Sequence, residues 1–165
     1  MLRSRLSVFL MLHKGSLYKS ENFKDYTYIG DPINAVRIYN DFEVDELFLI
    51  DIDASKLSTE PRFDLIQRIA SESRIPLCYG GGIKDLFQVE KIINMGVEKI
   101  SLSSEAIYNP KIIKSISDLI GSQSTVCCLD IRKLENNIYT AFTLNGTKKV
   151  NHEVKEILDS FIENG

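Results

Sequence analysis

The chain has 165 residues, of which 44% are hydrophobic and 26% are charged, and its formal net charge is −3. A chain of this length can form one domain with its own core. The absence of a basic block argues against a nucleic-acid partner. The apolar stretch Leu6–Leu12 is too short to cross a membrane, so we predict no membrane association. We expect one cytoplasmic domain over residues 1–165, with Leu6–Leu12 as a buried strand.

The three cysteines are Cys78, Cys127 and Cys128. Neighbouring residues in a strand point to opposite faces, so the adjacent pair is unsuited to a disulfide. The sequence also lacks the paired spacing of zinc ligands. We expect reduced, buried thiols, and we predict neither a metal site nor a cofactor.

The first third of the chain predicts two buried strands separated by a helix. After the first strand, His13–Gly30 is expected to be a long polar loop, which in a compact domain is usually functional or mobile. Asp31 and Pro32 suit the N-cap and the first position of the helix that follows. The continuous apolar run Glu46–Ile52 is typical of a strand buried on both faces, as in parallel sheets.

Further strand-and-helix units follow at similar spacing. The predicted elements are the helices Phe63–Ser73, Leu86–Met95, Pro110–Ile120 and Glu153–Glu163, and the strands Ile75–Cys78, Val97–Leu102 and Ser124–Ile131. Near the end, Asn145-Gly146 predicts a hairpin between Asn136–Thr143 and Thr147–Val150. Repeated βα units predict a parallel sheet, either doubly wound or a (β/α)₈ barrel. A dinucleotide-binding fold is disfavoured because no Gly-x-Gly-x-x-Gly follows the first strand.

In both architectures functional residues gather at the carboxyl ends of the strands. The glycine run Gly80–Gly82 exposes backbone N–H groups at one such end, where they could hold an anion. Aspartates and serines at strand ends are also common as turn and cap residues. The combination of carboxylates, hydroxyls and free N–H groups nevertheless predicts a site for a phosphorylated ligand. Its candidates at the other strand ends are Met11, Asp51 with Asp53, Ser103 with Ser104, and Asp130.

Isolated charged residues give weaker indications. Lys19, in the predicted loop, could contribute positive charge to the binding of an anionic ligand. His13 has neither a triad partner nor a metal ligand near it in the sequence, so we expect it at the surface. Arg5, Glu46 and Lys99 stand at the starts of apolar strands. From composition alone, these three would be ordinary solvated charges.

A set of motifs along the whole chain is highly specific. The motifs are Gly30-Asp31-Pro32, Asp45-Glu46-Leu47, Asp51-Ile52-Asp53-Ala54-Ser55, Gly80-Gly81-Gly82-Ile83, Gly96-Val97-Glu98-Lys99, Asn109-Pro110 and Gly121-Ser122-Gln123-Ser124 with Asp130. Together they resemble the cyclase subunit of imidazole glycerol phosphate synthase, a (β/α)₈ barrel. The resemblance implies a lyase of histidine biosynthesis. Such a subunit takes ammonia from a glutaminase subunit and uses it to split and cyclise a phosphorylated ribulosyl intermediate.

The resemblance also implies roles for particular residues. Asp130 matches the general acid/base, and Lys19 matches the catalytic lysine of a mobile first loop. Met11 and Asp51 are expected in the substrate pocket. One phosphate site is implied, in which a Ser-Ser pair stands where the family usually has Asn-Thr; its members are Gly81, Gly82, Ser103 and Ser104.

At the amino ends of the strands, Arg5, Glu46 and Lys99 match three members of a charged ring at the ammonia entrance. The resemblance therefore replaces the interpretation of these residues as solvated charges. A glutaminase subunit would dock at this face. Because a barrel interior is otherwise apolar, Glu46 should form a salt bridge with Arg5 or Lys99.

Two departures from the family pattern shape the expected activity. Met11 aligns with the first catalytic aspartate and cannot exchange a proton, so we expect weak or absent cyclisation. The chain also ends before three further units of a full barrel, so we predict a partial (β/α)₈ barrel of about five βα units with a hairpin after the fifth strand. One alternative is the branch of the family associated with sugar amidation for surface polysaccharides, in which the protein would be an ammonia conduit or scaffold. The sister phosphoribosyl isomerase is another, and Met11 counts against it as well.

Overall fold

The computed structural model describes residues 4–134 and 137–165. A seven-stranded sheet forms its centre, with the strands β1 Ser7–His13, β2 Ser16–Glu21, β3 Lys24–Gly30, β4 Glu46–Asp51, β5 Leu77–Gly80, β6 Lys99–Leu102 and β7 Thr125–Cys127. Their spatial order is β3-β2-β1-β4-β5-β6-β7. The five strands β1, β4, β5, β6 and β7 are parallel and adjacent in the order in which they occur along the chain.

Helices connect the parallel strands. Within the described residues the connecting helices are α1 Pro32–Asp41, α2 Ala54–Leu57, α3 Phe63–Glu72, α4 Leu86–Asn94, α5 Ser104–Tyr108 and α6 Lys111–Ile120. A further helix, α7 Val154–Glu163, follows the last strand of the chain. Because right-handed crossovers join neighbouring strands in one direction, the connecting helices lie on one face of the sheet. A doubly wound sheet would reverse its strand order, and this one does not. The predicted α/β fold is confirmed, and its strand order is that of a (β/α) barrel.

The two faces of the parallel sheet differ in burial, since successive strand residues point to opposite faces. The helix-covered face forms the core, with Leu10, Leu12, Leu47, Leu49, Leu77, Tyr79, Ile100 and Leu102 each at most 7% exposed. The other face carries Phe9, Phe48 and Cys78 in one aligned row. The rings of Phe9 and Phe48 stack there with centroids 4.3 Å apart. Phe9 is 58% exposed, so this face is only partly covered.

The predicted long loop His13–Gly30 is wrong, because this segment forms the hairpin of β2 and β3. Lys14 and Gly15 join β1 to β2 with φ angles of 52° and 82°. Asn22 and Phe23 join β2 to β3 with φ angles of 50° and 63°. Two-residue turns with positive φ at both positions match the twist of antiparallel strands. The hairpin therefore extends the sheet beyond β1.

The predicted strand Ser124–Ile131 is also wrong, because the chain changes sheets within it. β7 ends at Cys127, and Asp130 begins a second, antiparallel sheet. That sheet consists of β8 Asp130–Lys133, β9 Tyr139–Thr143 and β10 Lys148–Lys149, in the order β10-β9-β8. The hairpin predicted at Asn145-Gly146 is confirmed between β9 and β10. The predicted start of its first strand, Asn136, lies outside the described residues.

The helix signals in the sequence were reliable. The Asp31 carboxylate accepts hydrogen bonds from the N–H groups of Ile33 and Asn34, both at 3.0 Å, and Pro32 begins α1 as predicted. The single-turn helices α2 and α5 were not predicted, since four or five residues carry no helical period. No helix in residues 4–134 or 137–165 is long and apolar enough to cross a membrane.

Candidate functional site

A cavity of about 440 Å³ opens at the carboxyl ends of the parallel strands. It brings together seven residues that the sequence predicted to share a site: Met11, Asp51, Gly81, Gly82, Ser103, Ser104 and Asp130. Three residues of the β2–β3 hairpin also line it, namely Ser20, Asn22 and Phe23. Asn145, from the second hairpin, completes this side. The placement of these residues follows from the parallel strand order, while their roles stay predictions.

Asp130 lines this cavity, and its surroundings alter the protonation of its carboxyl group. Burial raises its pKa above the usual range, and the nearby Arg132 guanidinium partly opposes that change. A carboxyl group with a raised pKa holds its proton at higher pH, as a general acid/base requires. Because Asp130 begins β8, its position depends on the second sheet and not on a continuous fifth strand.

The raised pKa of Asp130 predicts how its replacement affects stability. Folding favours the protonated carboxyl, so the native state is penalised once pH rises above the unfolded pKa of about 4, and the penalty is absent below it. Asp130→Asn should therefore raise the melting temperature at pH 7 and leave it nearly unchanged at pH 3.5. Thermal unfolding at both pH values measures the difference. An equal effect at the two values would contradict an ionisation penalty at this site.

Asp51 lines the cavity, but its carboxylate is engaged by the protein. One oxygen accepts hydrogen bonds from the N–H groups of Asp53 and Ala54, at 3.0 and 3.1 Å. The other accepts from Arg62 Nε at 3.0 Å, and Asp51 is only 3% exposed. These bonds fix the turn from β4 into α2. Asp51 thus shapes the cavity wall, and its predicted contact with a substrate stays untested.

The glycine run is required by close packing. A Cβ on Gly81 would lie 2.4 Å from the carbonyl oxygen of Asp51, and one on Gly82 would lie 2.7 Å from that of Thr59. Both glycines also have positive φ, 120° and 72°, which side chains rarely tolerate. The chain after β4 passes directly against them. This packing explains both glycines without a ligand, so their predicted role in phosphate binding needs its own test.

The hydroxyl groups of Ser103 and Ser104 have different surroundings. Ser104 Oγ accepts a hydrogen bond from the Leu144 N–H at 3.0 Å, so this side chain holds the second hairpin against α5. Ser103 precedes α5, and its hydroxyl makes no capping bond there. Of the two, Ser103 therefore has the hydroxyl that is freer to face a ligand. Lys19 lies exposed on β2, and its neighbour Ser20 is the residue that reaches the cavity lining.

The opposite end of the sheet carries a buried ion pair. The ammonium of Lys99 contacts the carboxylate of Glu46, which is 7% exposed, and the predicted salt bridge is confirmed. Ser7 Oγ donates a second hydrogen bond to Glu46, at 3.3 Å. Arg5 is exposed and makes no ion pair within the described part of the chain. The pair stands at the first residues of β4 and β6, whereas the cavity lies at the other end of these strands.

His13 is not a surface residue, so that prediction is wrong. Its Nδ1 lies 2.7 Å from Asp53 Oδ1, and the two side chains are only 16% and 10% exposed. Burial opposes ionisation of Asp53, but hydrogen bonds from the Lys14 N–H and from His13 keep the pKa of its carboxyl below the usual value. The sequence places these residues forty positions apart. Only the adjacency of β1 and β4 brings them together.

Arg132 also escaped the sequence analysis. Its guanidinium lies over the rings of Phe23 and Phe142, 4.8 and 4.5 Å from their centroids. Its Nη2 donates hydrogen bonds to the carbonyl oxygens of Gly146, at 2.7 Å, and Asn22, at 3.3 Å. Arg132 therefore joins the tips of the two hairpins. No local sequence pattern signals a contact between turns more than a hundred residues apart.

The strand order and the cavity define a class: an α/β protein of barrel topology with its candidate site at the carboxyl ends of the strands. Within that class, the chain belongs to the histidine biosynthesis protein family, whose sequence profile matches residues 12–165.

Three relatives illustrate the similarity. "Putative imidazole glycerol phosphate synthase subunit hisF3" of Vibrio vulnificus is 54% identical over 150 residues, which are 90% of this chain and 58% of the relative. A protein named "Putative imidazole glycerol phosphate synthase subunit HisF" from Leptospira borgpetersenii is 48% identical over 166 residues, covering 100% of this chain and 65% of the relative. "Imidazole glycerol phosphate synthase subunit HisF" of Streptococcus mutans is 33% identical over 148 residues, covering 90% and 59%. The chain thus spans less than two thirds of the length of these curated relatives.

Proposed function

We propose that the chain acts as the cyclase-type subunit of an imidazole glycerol phosphate synthase-like complex, a lyase that uses ammonia from a glutaminase partner on a phosphorylated ribulosyl substrate. The observation that carries the proposal is the position of Asp130, whose carboxyl, with its raised pKa, lines the cavity at the strand ends. The names of the relatives support the assignment to such a complex.

In this proposal the two ends of the sheet have different tasks. Asp130 transfers protons in the cavity, where backbone and hydroxyl groups at Gly81, Gly82, Ser103 and Ser104 hold a phosphate. Lys19 approaches the ligand from the β2–β3 hairpin. Ammonia enters at the opposite end, past the Glu46–Lys99 pair, where the glutaminase partner docks. This division of tasks is supported by the positions of the cavity residues and of the Glu46–Lys99 pair, which lie at opposite ends of the same parallel strands.

A second candidate rests on Met11. This half-buried side chain lines the cavity at the end of β1, where the family pattern has a carboxylate. A thioether cannot exchange a proton, so Asp130 would act alone. The chain would then conduct ammonia, or act as a scaffold, in a complex that amidates a sugar for surface polysaccharide. The same residue argues against a phosphoribosyl isomerase.

The variant Met11→Asp separates these candidates. We would measure imidazole glycerol phosphate formation with ammonium salt for the wild-type chain, Met11→Asp and Asp130→Asn. For a cyclase-type subunit, restoring the carboxylate should raise turnover by ~10²-fold or more, and Asp130→Asn should abolish it. If Asp130→Asn in the Met11→Asp background were as active as Met11→Asp alone, the catalytic role of Asp130 would be refuted. Stimulation of a glutaminase partner without cyclisation by any variant would favour the conduit.

A further inference from the structure

We propose that His13, held by Asp53, is a latch that fixes the β2–β3 hairpin as the roof of the cavity. The roof is defined by the three hairpin residues that line the cavity, Ser20, Asn22 and Phe23. This inference goes beyond the proposed function, because it concerns access to the cavity and holds for any ligand that the cavity takes.

The hairpin has little apolar burial of its own. β3 is an edge strand whose residues are exposed or half-buried throughout, and on β2 only Leu17 is buried. A two-stranded hairpin without a buried face is marginally stable in water. Its pairing with β1 is also short, with two registered pairs at the turn. The position of the roof therefore depends on side-chain contacts with the rest of the molecule.

His13 provides such contacts on three sides of its ring. Nδ1 contacts Asp53 at 2.7 Å, Tyr26 stacks on the ring face with centroids 4.4 Å apart, and Tyr18 meets the ring edge-on at 5.1 Å. Tyr18 belongs to β2 and Tyr26 to β3, so one side chain touches both strands of the hairpin. Asp53 belongs to the connection after β4, outside the hairpin.

The Asp53 end of the latch is itself fixed. Its second carboxylate oxygen accepts a hydrogen bond from the Lys14 N–H at 2.8 Å. The Asp53 N–H donates to Asp51, whose carboxylate is held by Arg62. The hairpin is thus tied through His13 to a rigid turn of the parallel sheet. Loss of the imidazole ring would remove the contacts to both tyrosines at once.

The tip of the hairpin has a second attachment. Asn145 Nδ2 donates a hydrogen bond to Tyr26 Oη at 2.7 Å, and Arg132 lies over the Phe23 ring. These contacts join the roof to the second hairpin. With His13 removed, the roof would keep its base, at Leu17 and at the Lys14 N–H bond to Asp53, and its tip, but it would lose the ring contacts between them. Local opening would then expose the cavity floor more often.

Cys128 lines the cavity and is half-buried, so a rise in the reactivity of its thiol reports the added exposure when the roof opens. Cys78 is fully buried and serves as an internal reporter of global unfolding. In a Cys127→Ser background, we would measure carbamidomethylation rates of both thiols by mass spectrometry at one pH. His13→Ala should raise the carbamidomethylation rate at Cys128 by about tenfold, because the loss of one hydrogen bond to a carboxylate shifts a local opening equilibrium by roughly that factor. The rate at Cys78 should stay unchanged. Asp53→Asn should give a smaller increase at Cys128.

The other histidine supplies the matched control. His152 lies just before α7 with its side chain 72% exposed, and it pairs with Glu156 in the first turn of that helix, so His152→Ala should change neither rate. If His13→Ala labels Cys128 no faster than this control, the latch is refuted. Equal acceleration at Cys128 and Cys78 would also refute it, because His13 would then act on global stability. Should His13→Ala fail to fold, His13→Gln removes the ring while keeping a group that can bond to Asp53.

Discussion

Gly81→Ala is expected to lower the free energy of unfolding by about 3 kcal/mol or more, since strain and a backbone clash act together. Its φ of 120° disfavours any side chain, and the new Cβ would lie 2.4 Å from the carbonyl oxygen of Asp51. Relief of the clash would push back the turn after β4 and weaken the contact of Asp51 with Arg62. Urea denaturation of the variant and the wild type measures the loss.

Alanine substitutions at two other glycines distinguish the cost of backbone strain from the cost of the clash with Asp51. Gly96 has a φ of 97° but open space around its Cβ position, so Gly96→Ala should cost about 1 kcal/mol from backbone conformation alone. Gly30 has neither a positive φ nor a neighbour within 4 Å, so Gly30→Ala should be nearly neutral. If Gly81→Ala costs no more than Gly96→Ala, the close approach of Asp51 is not what requires the glycine.

The features that sequence predicted well are those with a strong local cause. Glu46–Asp51 forms a strand within one residue of the prediction, because a strand covered on both faces needs a continuous apolar run. Asp31 caps α1 because its short side chain reaches the first free N–H groups. The strand-end rule then placed the candidate residues around one cavity, since parallel strands end on the same side of a sheet.

The wrong secondary-structure predictions fall on segments whose conformation depends on the strands with which they pair. The turns at Lys14-Gly15 and Asn22-Phe23 carry positive φ without the Asn-Gly or Asp-Gly signal, so the β2–β3 hairpin resembled a loop. No glycine or proline marks the break after Cys127, where the chain leaves one sheet for another. The pairing of Asp130 with β9 decides that change, and a local sequence window cannot detect it.

The sequence predicted which residues line the site but not which partners their side chains bond to. Asp51 and Ser104 reach the cavity as expected, yet their side chains bond to the Arg62 guanidinium and the Leu144 N–H. His13 gained its partner through the adjacency of two strands. Long-range contacts of this kind depend on the register between strands, and a short segment of the sequence does not show which residues of a distant strand it will face.

Lys99→Ala is expected to destabilise the chain by about 3 kcal/mol, because it leaves the carboxylate of Glu46 buried without its cation. Glu46 is 7% exposed, and among residues 4–134 and 137–165 its remaining polar contact is the Ser7 hydroxyl at 3.3 Å. Urea denaturation at neutral pH measures the loss. The matched control is Lys114→Ala, which breaks an exposed pair with Asp118 and should change stability by less than about 0.5 kcal/mol. Equal losses for the two variants would contradict burial as the cause.

Replacing both Glu46 and Lys99 tests whether this ion pair stabilises the fold or takes part in the entry of ammonia. Glu46→Leu with Lys99→Met removes two charges together, leaves no unpaired ion, and should restore most of the stability lost in Lys99→Ala. In the proposed complex, we expect this double variant to keep its activity with ammonium salt and to lose most of its activity with glutamine, because free ammonia can reach the cavity from solution. If both activities fall by the same factor, the pair serves the fold and has no part in ammonia entry.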